Sequence, residues 1–120
     1  MDDIDKQIEI SIVIPVFNEV SLVEELYSRL KVVCDGLNQT YEIVFVDDGS
    51  SDGSYEKLKQ LQANDTVLRV VKFTRNFGQQ AAVLAGCRIS SGDIIVQLDS
   101  DLQNPPEEIP KLLNAMSDDI

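Results

Sequence analysis

The sequence predicts an α/β fold, a parallel β-sheet with helices on both faces, for three reasons. Four short runs are nearly continuous in apolar residues, as strands covered on both sides should be. Between them, apolar residues recur at helical spacing. The runs begin at residues 9, 41, 67 and 93, a pitch of 26 to 32 residues that suits right-handed strand–helix–strand crossovers.

Taken in order, the first strand is residues 9–15 (EISIVIP). Leu22, Leu26, Leu30, Val33 and Leu37 then step by four, four, three and four. They draw one apolar stripe along a helix, with Gly36 near its end, where left-handed caps are common. The second strand is residues 41–47 (YEIVFVD). A Ser/Asp/Gly turn able to cap a helix follows it, and Tyr55, Leu58 and Leu61 repeat the helical spacing. The third strand is residues 67–74 (VLRVVKFT). The helix over residues 80–89 is apolar nearly all round (AAVLAGC), which predicts burial on more than one side. The fourth strand, residues 93–99 (DIIVQLD), leads to a last helical pattern over residues 106–116. There Ile109, Leu112, Leu113 and Met116 share a face, and Pro110 must interrupt or restart the helix. No repeat, low-complexity stretch or linker divides the 120 residues, which suit one compact domain.

Composition narrows the function. An apolar share of 43% is enough for a core. The net charge of −11 argues against nucleic acid as a partner, because phosphate backbones are held by Lys and Arg. It argues equally against this segment itself lying on an anionic membrane. No apolar run approaches the ~18 residues of a membrane span, and the acidic N-terminus (MDDIDKQIEI) has no signal-peptide character. A soluble, cytoplasmic segment is therefore expected. Cys34 and Cys87 stand far apart in apolar surroundings and read as reduced core thiols. The chain has no histidine, which removes Ser-His-Asp triads, Cys-His pairs and His-ligated zinc. Carboxylates, amides, backbone dipoles and a hard metal ion are left to carry any chemistry.

In parallel α/β sheets, ligands bind where the carboxyl ends of the strands open into a crevice. Strand one ends in Pro15-Val16-Phe17-Asn18-Glu19, strand two in Asp47-Asp48-Gly49-Ser50, and strand three leads to Arg75-Asn76-Phe77-Gly78-Gln79. Strand four ends in Asp99-Ser100-Asp101-Leu102-Gln103-Asn104. Neither G-x-G-x-x-G nor G-x-x-x-x-G-K-[ST] occurs, so a nucleotide diphosphate would need a divalent cation in place of a glycine cradle. Asp99 and Asp101, at i and i+2 leaving an extended strand, can point the same way as oxygen ligands for Mg²⁺ or Mn²⁺. Gln103 adds a neutral carbonyl oxygen. A metal so held would stabilise charge on a leaving diphosphate, although a D-x-D also arises by chance in acidic chains.

The other strand-end residues each carry two readings. Asp47 stands where dinucleotide-binding folds place an acid on ribose hydroxyls, or it serves as an N-cap or Asx-turn in the DDGSSDGS loop. Asp48 lies between these roles, and Asp52 or Ser51 suits capping. Asn18 and Glu19 either cap the first helix or, with the turn that Pro15 favours, form a wall for a base. Arg75, the cation near the strand ends, suits a phosphate or a surface salt bridge.

With IPVFNE (14–19), VDDGSSDGS (46–54), RNFGQ (75–79) and LDSDLQNPPEEIP (98–110) in view, the chain resembles the family 2 glycosyltransferases of GT-A fold. Their sheet is Rossmann-like, with expected strand order 3-2-1-4. RNFGQ and DLQNPPE are most similar to the polyprenyl-phosphate branch. That branch holds dolichol-phosphate mannosyltransferase-like enzymes, bactoprenol glucosyltransferases and undecaprenyl-phosphate aminoarabinose transferases. The resemblance implies that Pro15, Phe17, Asn18, Glu19 and Asp47 hold the nucleotide, with Asp48, Asp99 and Ser100 beside them. It implies that Asp99, Asp101 and Gln103 bind Mg²⁺ or Mn²⁺ and the diphosphate, which makes the two aspartates catalytic, and that Arg75 can meet a phosphate. The implied reaction is inverting transfer from a nucleoside-diphosphate sugar, a UDP-sugar ahead of GDP-mannose, to a polyprenyl phosphate at the cytoplasmic face of a membrane.

Catalytic domains of that family are considerably longer. Residues 1–120 are therefore expected to be a donor-binding first part, truncated after the D-x-D, with the acceptor site and membrane anchor elsewhere. Strand four would then lie at a sheet edge, and self-association through residues 93–99 is expected. Two rivals remain. A response-regulator receiver domain needs an acid at the end of strand three and a Lys after a fifth strand; strand three here ends in Phe73-Thr74, and no fifth strand is present. A non-catalytic nucleotide- and metal-binding or scaffolding module is the other.

Overall fold

The computed structural model describes residues 7–118; residues 119–120 lie outside it, as do residues 1–6 of the acidic N-terminus read above. The elements are β1 (Ile10–Val16), α1 (Val20–Asp35), β2 (Tyr41–Asp47), α2 (Ser54–Ala63), β3 (Leu68–Lys72), α3 (Gln79–Ile89) and β4 (Ile94–Gln97). A 3-10 turn (Pro106–Glu108) and α4 (Ile109–Asp118) complete the chain. The four strands form one sheet in the order β3-β2-β1-β4, every pairing parallel, which is the architecture expected of the sequence.

Alternation along β1 divides the core into two unequal parts. Ile10, Ile12, Ile14 and Val16 face one side, where Ile43 and Phe45 of β2 join them beneath Leu26 and Leu30 of α1, Leu58 of α2 and Ile109 of α4. Burying each such aliphatic side chain contributes about 1.5–3 kcal/mol, so this side holds most of the apolar stabilisation. Val13, Val44 and Val46 face the other side, where Ala82 of α3 covers them.

Several details depart from expectation. The buried stripe of α1 is Val23, Leu26, Leu30 and Cys34; Leu22 is half-buried, while Val33 and Leu37 pack at its margin. Both stripes satisfy helical spacing, and the sheet takes the one nearer its own face. Gly36 closes α1 in a right-handed conformation (φ −84°), and the left-handed residue is Asn38 (φ 57°) instead. The third and fourth strands are shorter than residues 67–74 and 93–99. Leu98 still donates its N–H to the Val13 carbonyl at 3.0 Å, which leaves Asp99 just beyond the ladder.

The largest correction concerns α3, which buries only Ala82 and Gly86, while Leu84 is 55% exposed. The helix lies on the sheet through its smallest residues rather than being enclosed. A Cβ on Gly86 would fall 2.5 Å from Val13 Cγ1 and 3.2 Å from Val46 Cγ2, so glycine sets how closely α3 approaches. At the amino end of the sheet, the buried Glu42 carboxylate accepts from Ser11 Oγ (2.7 Å), Ser91 N (2.6 Å) and Arg69 Nη1 (3.2 Å). This network ties β1, β2 and β3 to the turn that follows α3.

Both cysteines are free, as expected; Cys34 is buried and Cys87 half-buried. Burial pushes the Cys34 thiol up to about 11. Among the described residues, no helix is long and apolar enough to cross a membrane. Among the described residues β4 pairs with β1 alone, and Ile95 on it is 42% exposed.

Replacing Gly86 by Ala gains ~1 kcal/mol of helix propensity but overpacks against a β-branched neighbour, at a cost of about 1–3 kcal/mol. We expect a net loss, seen as a lower urea midpoint. A variant as stable as the wild type would contradict so close a helix–sheet contact.

Candidate active site

The carboxyl ends of the strands are held together chiefly by the loop leaving β2. Residues 18–20 present three successive backbone N–H groups to it. Asn18 N donates to Ser50 Oγ (2.9 Å), Glu19 N to Ser54 Oγ (3.0 Å) and Val20 N to Asp52 Oδ2 (3.1 Å). Asn18 returns the contact, its Oδ1 accepting from Ser51 N at 2.8 Å. The entry to α1 is thus held from the β2 loop, which takes the Val20 N–H, while Leu22 N and Val23 N donate to the Glu19 carbonyl; neither Asn18 nor Glu19 caps the helix with a side chain. Asp52 also closes on Ser54, through its N–H at 3.0 Å and its hydroxyl at 2.6 Å. Desolvation within the turn raises the exposed Asp52 carboxyl, but the Ser54 and Val20 donors outweigh it and hold the group below its usual range. Capping by Asp52 therefore agrees with expectation, whereas Ser51 serves through its backbone.

Asp48 performs the same service for the loop after β3. It is buried at 3% exposure. Its carboxylate accepts from Phe77 N (2.8 Å), Gly78 N (3.1 Å) and Asn76 Nδ2 (3.2 Å). Gly49 permits the approach: its φ is +78°, and a Cβ there would lie 2.4 Å from the Arg75 carbonyl carbon. Both facts demand glycine.

A crevice of about 340 Å³ opens between these loops and the end of β4, lined by Pro15, Val16, Phe17, Glu19, Asp48, Gln79, Asp99, Ser100, Asp101 and Gln103. Seven expected site residues therefore share it with Gln103: Pro15, Phe17, Glu19, Asp48, Asp99, Ser100 and Asp101. Three do not line it. Asn18 is occupied with the β2 loop. Arg75 stacks its guanidinium over the Phe77 ring at 4.5 Å, and among the described residues no carboxylate pairs with it, which replaces the salt bridge considered above. Asp47 is wholly buried; its Oδ2 accepts from Ser50 N at 3.1 Å, while its Oδ1 has no hydrogen-bond partner. A buried carboxylate oxygen without a donor is costly, and nothing in the fold relieves it.

The D-x-D segment leaves β4 as a strained turn. Asp101 Oδ1 accepts from Gln103 N at 3.1 Å. Between them Leu102 adopts φ +65°, a conformation that costs a bulky residue about 1–3 kcal/mol. Its side chain packs on the main core, which anchors the turn. Beyond it, Arg29 of α1 reaches Glu107 with Nε at 3.0 Å and with Nη2, and Pro106 is buried. The far end of the segment is thereby fixed to α1.

Four carboxylates line the crevice and no lysine or arginine does. Among the described residues there is no cluster of three or more metal-ligating side chains. The donor set of Asp99, Asp101 and Gln103 nevertheless fits a hard divalent ion, which is held by one or two carboxylates and completes its shell with water and phosphate oxygens. Gln79 went unassigned in the sequence, since its place at the start of α3 gives no reason for it to reach β4. Its Nε2 donates to Asp99 Oδ1 at 3.0 Å.

Fold and crevice together define a class: a Rossmann-like α/β domain whose ligand crevice opens at the carboxyl ends of its strands, with carboxylates where others carry a glycine cradle. The sequence profile of Glycosyl transferase family 2 matches residues 11–119. The chain belongs to that family. It is 48% identical over 107 residues to the undecaprenyl-phosphate 4-deoxy-4-formamido-L-arabinose transferase of Aeromonas hydrophila, covering 88% of this chain and 33% of that protein. The chain thus spans about a third of the length of the curated relatives it matches. Among solved structures, it is similar to the mannosyltransferase PcManGT from Pyrobaculum calidifontis in complex with GDP-Man and Mn²⁺, with TM-score 0.72, 24% identity and coverage of 93% of this chain and 32% of that one. It is also similar to glucosyl-3-phosphoglycerate synthase from Mycobacterium tuberculosis in complex with Mn²⁺, UDP and glucosyl-3-phosphoglycerate, with TM-score 0.64, 26% identity and coverage of 95% and 40%. The fold is that of the GT-A glycosyltransferases.

Replacing Asp48 by Ala strands two backbone donors that now meet a charged acceptor, at a cost of about 1.5–3 kcal/mol. Hydrogen exchange at Phe77 and Gly78 should quicken by well over tenfold, with Val13 in β1 far less affected. Unchanged protection at residues 77 and 78 would contradict the anchoring role.

Proposed function

We propose that this chain forms the donor-binding part of an inverting glycosyltransferase that moves a sugar from a nucleoside-diphosphate sugar to a polyprenyl phosphate. The observation that carries the reading is the crevice itself, lined by four acidic residues and by no lysine or arginine. Such a surface repels a bare diphosphate and accepts one that arrives with a divalent ion. The A. hydrophila relative, 48% identical, is an undecaprenyl-phosphate transferase by name, and this supports the lipid phosphate as acceptor. A UDP-sugar is the favoured donor and GDP-mannose the next.

Asp99 and Asp101, with the Gln103 side chain, would hold Mg²⁺ or Mn²⁺. When bound, such an ion neutralises the charge that develops on the leaving diphosphate. Pro15 and Phe17, the latter 45% exposed at the crevice, would form the wall against the base, with Asn18, Glu19 and Ser100 completing the nucleotide site. Asp47, buried behind the crevice wall, has an unpartnered Oδ1 that would meet a nucleotide N–H or hydroxyl once the loop after β2 shifts to admit it. Arg75, free of any carboxylate among the described residues, would meet a phosphate. The acceptor's phosphate oxygen attacks the anomeric carbon from the face opposite the diphosphate; one C–O bond forms as the other breaks, which inverts the centre. An ionised phosphate nucleophile needs no proton removed, which fits a site without histidine.

In this reading the acceptor site lies in segments beyond those matched here, and the whole protein works at the cytoplasmic face of a membrane, with this part facing the cytoplasm. The match to only a third of the relatives' length favours a second reading, a nucleotide- and metal-binding module that does not catalyse by itself. The edge of β4, unpaired among the described residues, and the exposed Ile95 on it support self-association of the chain through residues 93–99.

Two outcomes test these statements. Asp101→Asn should lower Mn²⁺-dependent binding of UDP or GDP at least ~10-fold by calorimetry, in the range for loss of a metal ligand's support, while a scaffold would bind alike in both forms. Sedimentation velocity should show dimers growing with concentration. A monomer at the highest soluble concentration counts against pairing through β4.

A further inference from the structure

We propose that Gln79 is a positioning residue for the donor site, acting through Asp99. The inference rests on the reading above, that Asp99 and Asp101 hold the divalent ion. Its own support is a continuous set of contacts linking the end of β2 to the end of β4. Asp48 fixes Phe77 N and Gly78 N at 2.8 and 3.1 Å. Gly78 then turns with φ +103°, a conformation that glycine alone adopts readily, and its carbonyl accepts the Ala82 N–H at 3.1 Å to begin α3. The first residue of that helix is Gln79, placed so that its amide donates to Asp99 Oδ1 at 3.0 Å. Gln97 Nε2 donates to the same oxygen at 3.2 Å.

Two amides on Oδ1 settle the orientation of the carboxylate. Among the described residues no donor reaches Oδ2, so one oxygen is engaged by the protein and the other is open to a cation. A carboxylate only accepts, so both amides must present their N–H groups, and neither adds charge to compete with the ion. This is how outer residues prepare a ligand: they fix its rotamer before the metal arrives, so binding does not have to order it. The arrangement also gives the RNFGQ loop a task in the donor site, although Gln79 is its sole residue on the crevice wall.

The test uses the chain itself, calorimetry with UDP or GDP in the presence and absence of Mn²⁺, and a thermal melt of each variant. Gln79→Ala together with Gln97→Ala removes both donors, so the remaining amide cannot take over. We expect Mn²⁺-dependent nucleotide affinity to fall ~10–100-fold, the range seen when a ligand's outer partners are lost, with the melting temperature unchanged because both side chains are exposed. Gln79→Glu keeps the shape of the side chain but replaces the donor by a second acceptor, and should bind at least as poorly as Gln79→Ala. If these variants bind like wild type while Asp99→Asn is impaired, the positioning role is overturned and the donor-site reading stands. If the loss comes with a lower melting temperature or falls equally on metal-free binding, Gln79 is structural and the proposal fails. If Asp99→Asn itself binds like wild type, or the wild type shows no metal-dependent binding, the donor-site reading fails and takes this inference with it.

Discussion

The eight residues from Asp47 to Ser54 impose the constraint on which the carboxyl face of the sheet depends. Asp48 holds the loop after β3 through two backbone N–H groups and an amide. Ser50, Asp52 and Ser54 hold the turn after β1 through three more backbone N–H groups. Loop backbone at the end of a sheet would otherwise depend on water for its hydrogen bonds. Here it is satisfied by side chains from one central segment, so two neighbouring strand ends are referred to β2. Gly49 is the geometric condition for this, since a side chain there would collide with the backbone of Arg75 and Asn76. The D-x-D turn is reached by a longer path, through Gln79 from one side and through the Arg29–Glu107 pair and the Leu102 anchor from the other.

Most of the architecture was legible because buried parallel strands carry an unambiguous signal. Ile10 to Val16 and Ile43 to Val46 are nearly all apolar, and no helix of this size could bury every side. The helices were legible in position but less so in facing. Val23 and Cys34 compete with Leu22 and Val33 on equal spacing, and only contact with the sheet chooses between them. The helix after β3 misled for a clear reason: AAVLAGC is apolar, but its small residues serve close approach on one side, and Leu84 faces outward.

Within the site, residue types at strand ends indicated the crevice and its acids, because a parallel sheet collects those ends in one place. Division of labour was harder to read. In the pair Asp47–Asp48, one carboxylate is buried with an unpartnered oxygen and the other carries a loop; adjacent identical residues give no hint of this. Asn18 looks like a helix cap and is instead one half of an exchange with Ser50 and Ser51. Gln79 and the left-handed Leu102 could not have been found by type or spacing, since each owes its role to a contact twenty or more residues away or to a turn that leucine seldom adopts.

The charge pattern gives the site its chemical character. A crevice with four acids and no basic side chain on its wall repels a bare diphosphate, and the sequence supplies no glycine cradle here. In the proposed reading a divalent ion would resolve both difficulties at once, turning repulsion into attraction. The most direct measurement is a crystal of the protein grown with Mn²⁺ and UDP, or GDP in its place, with data collected at the manganese absorption edge. One anomalous peak is expected against the carboxylates of Asp99 and Asp101, with the nucleotide diphosphate beside it and the base along Phe17. Manganese or nucleotide bound away from these residues, in a crystal whose crevice is open to solvent, would contradict the proposed reading.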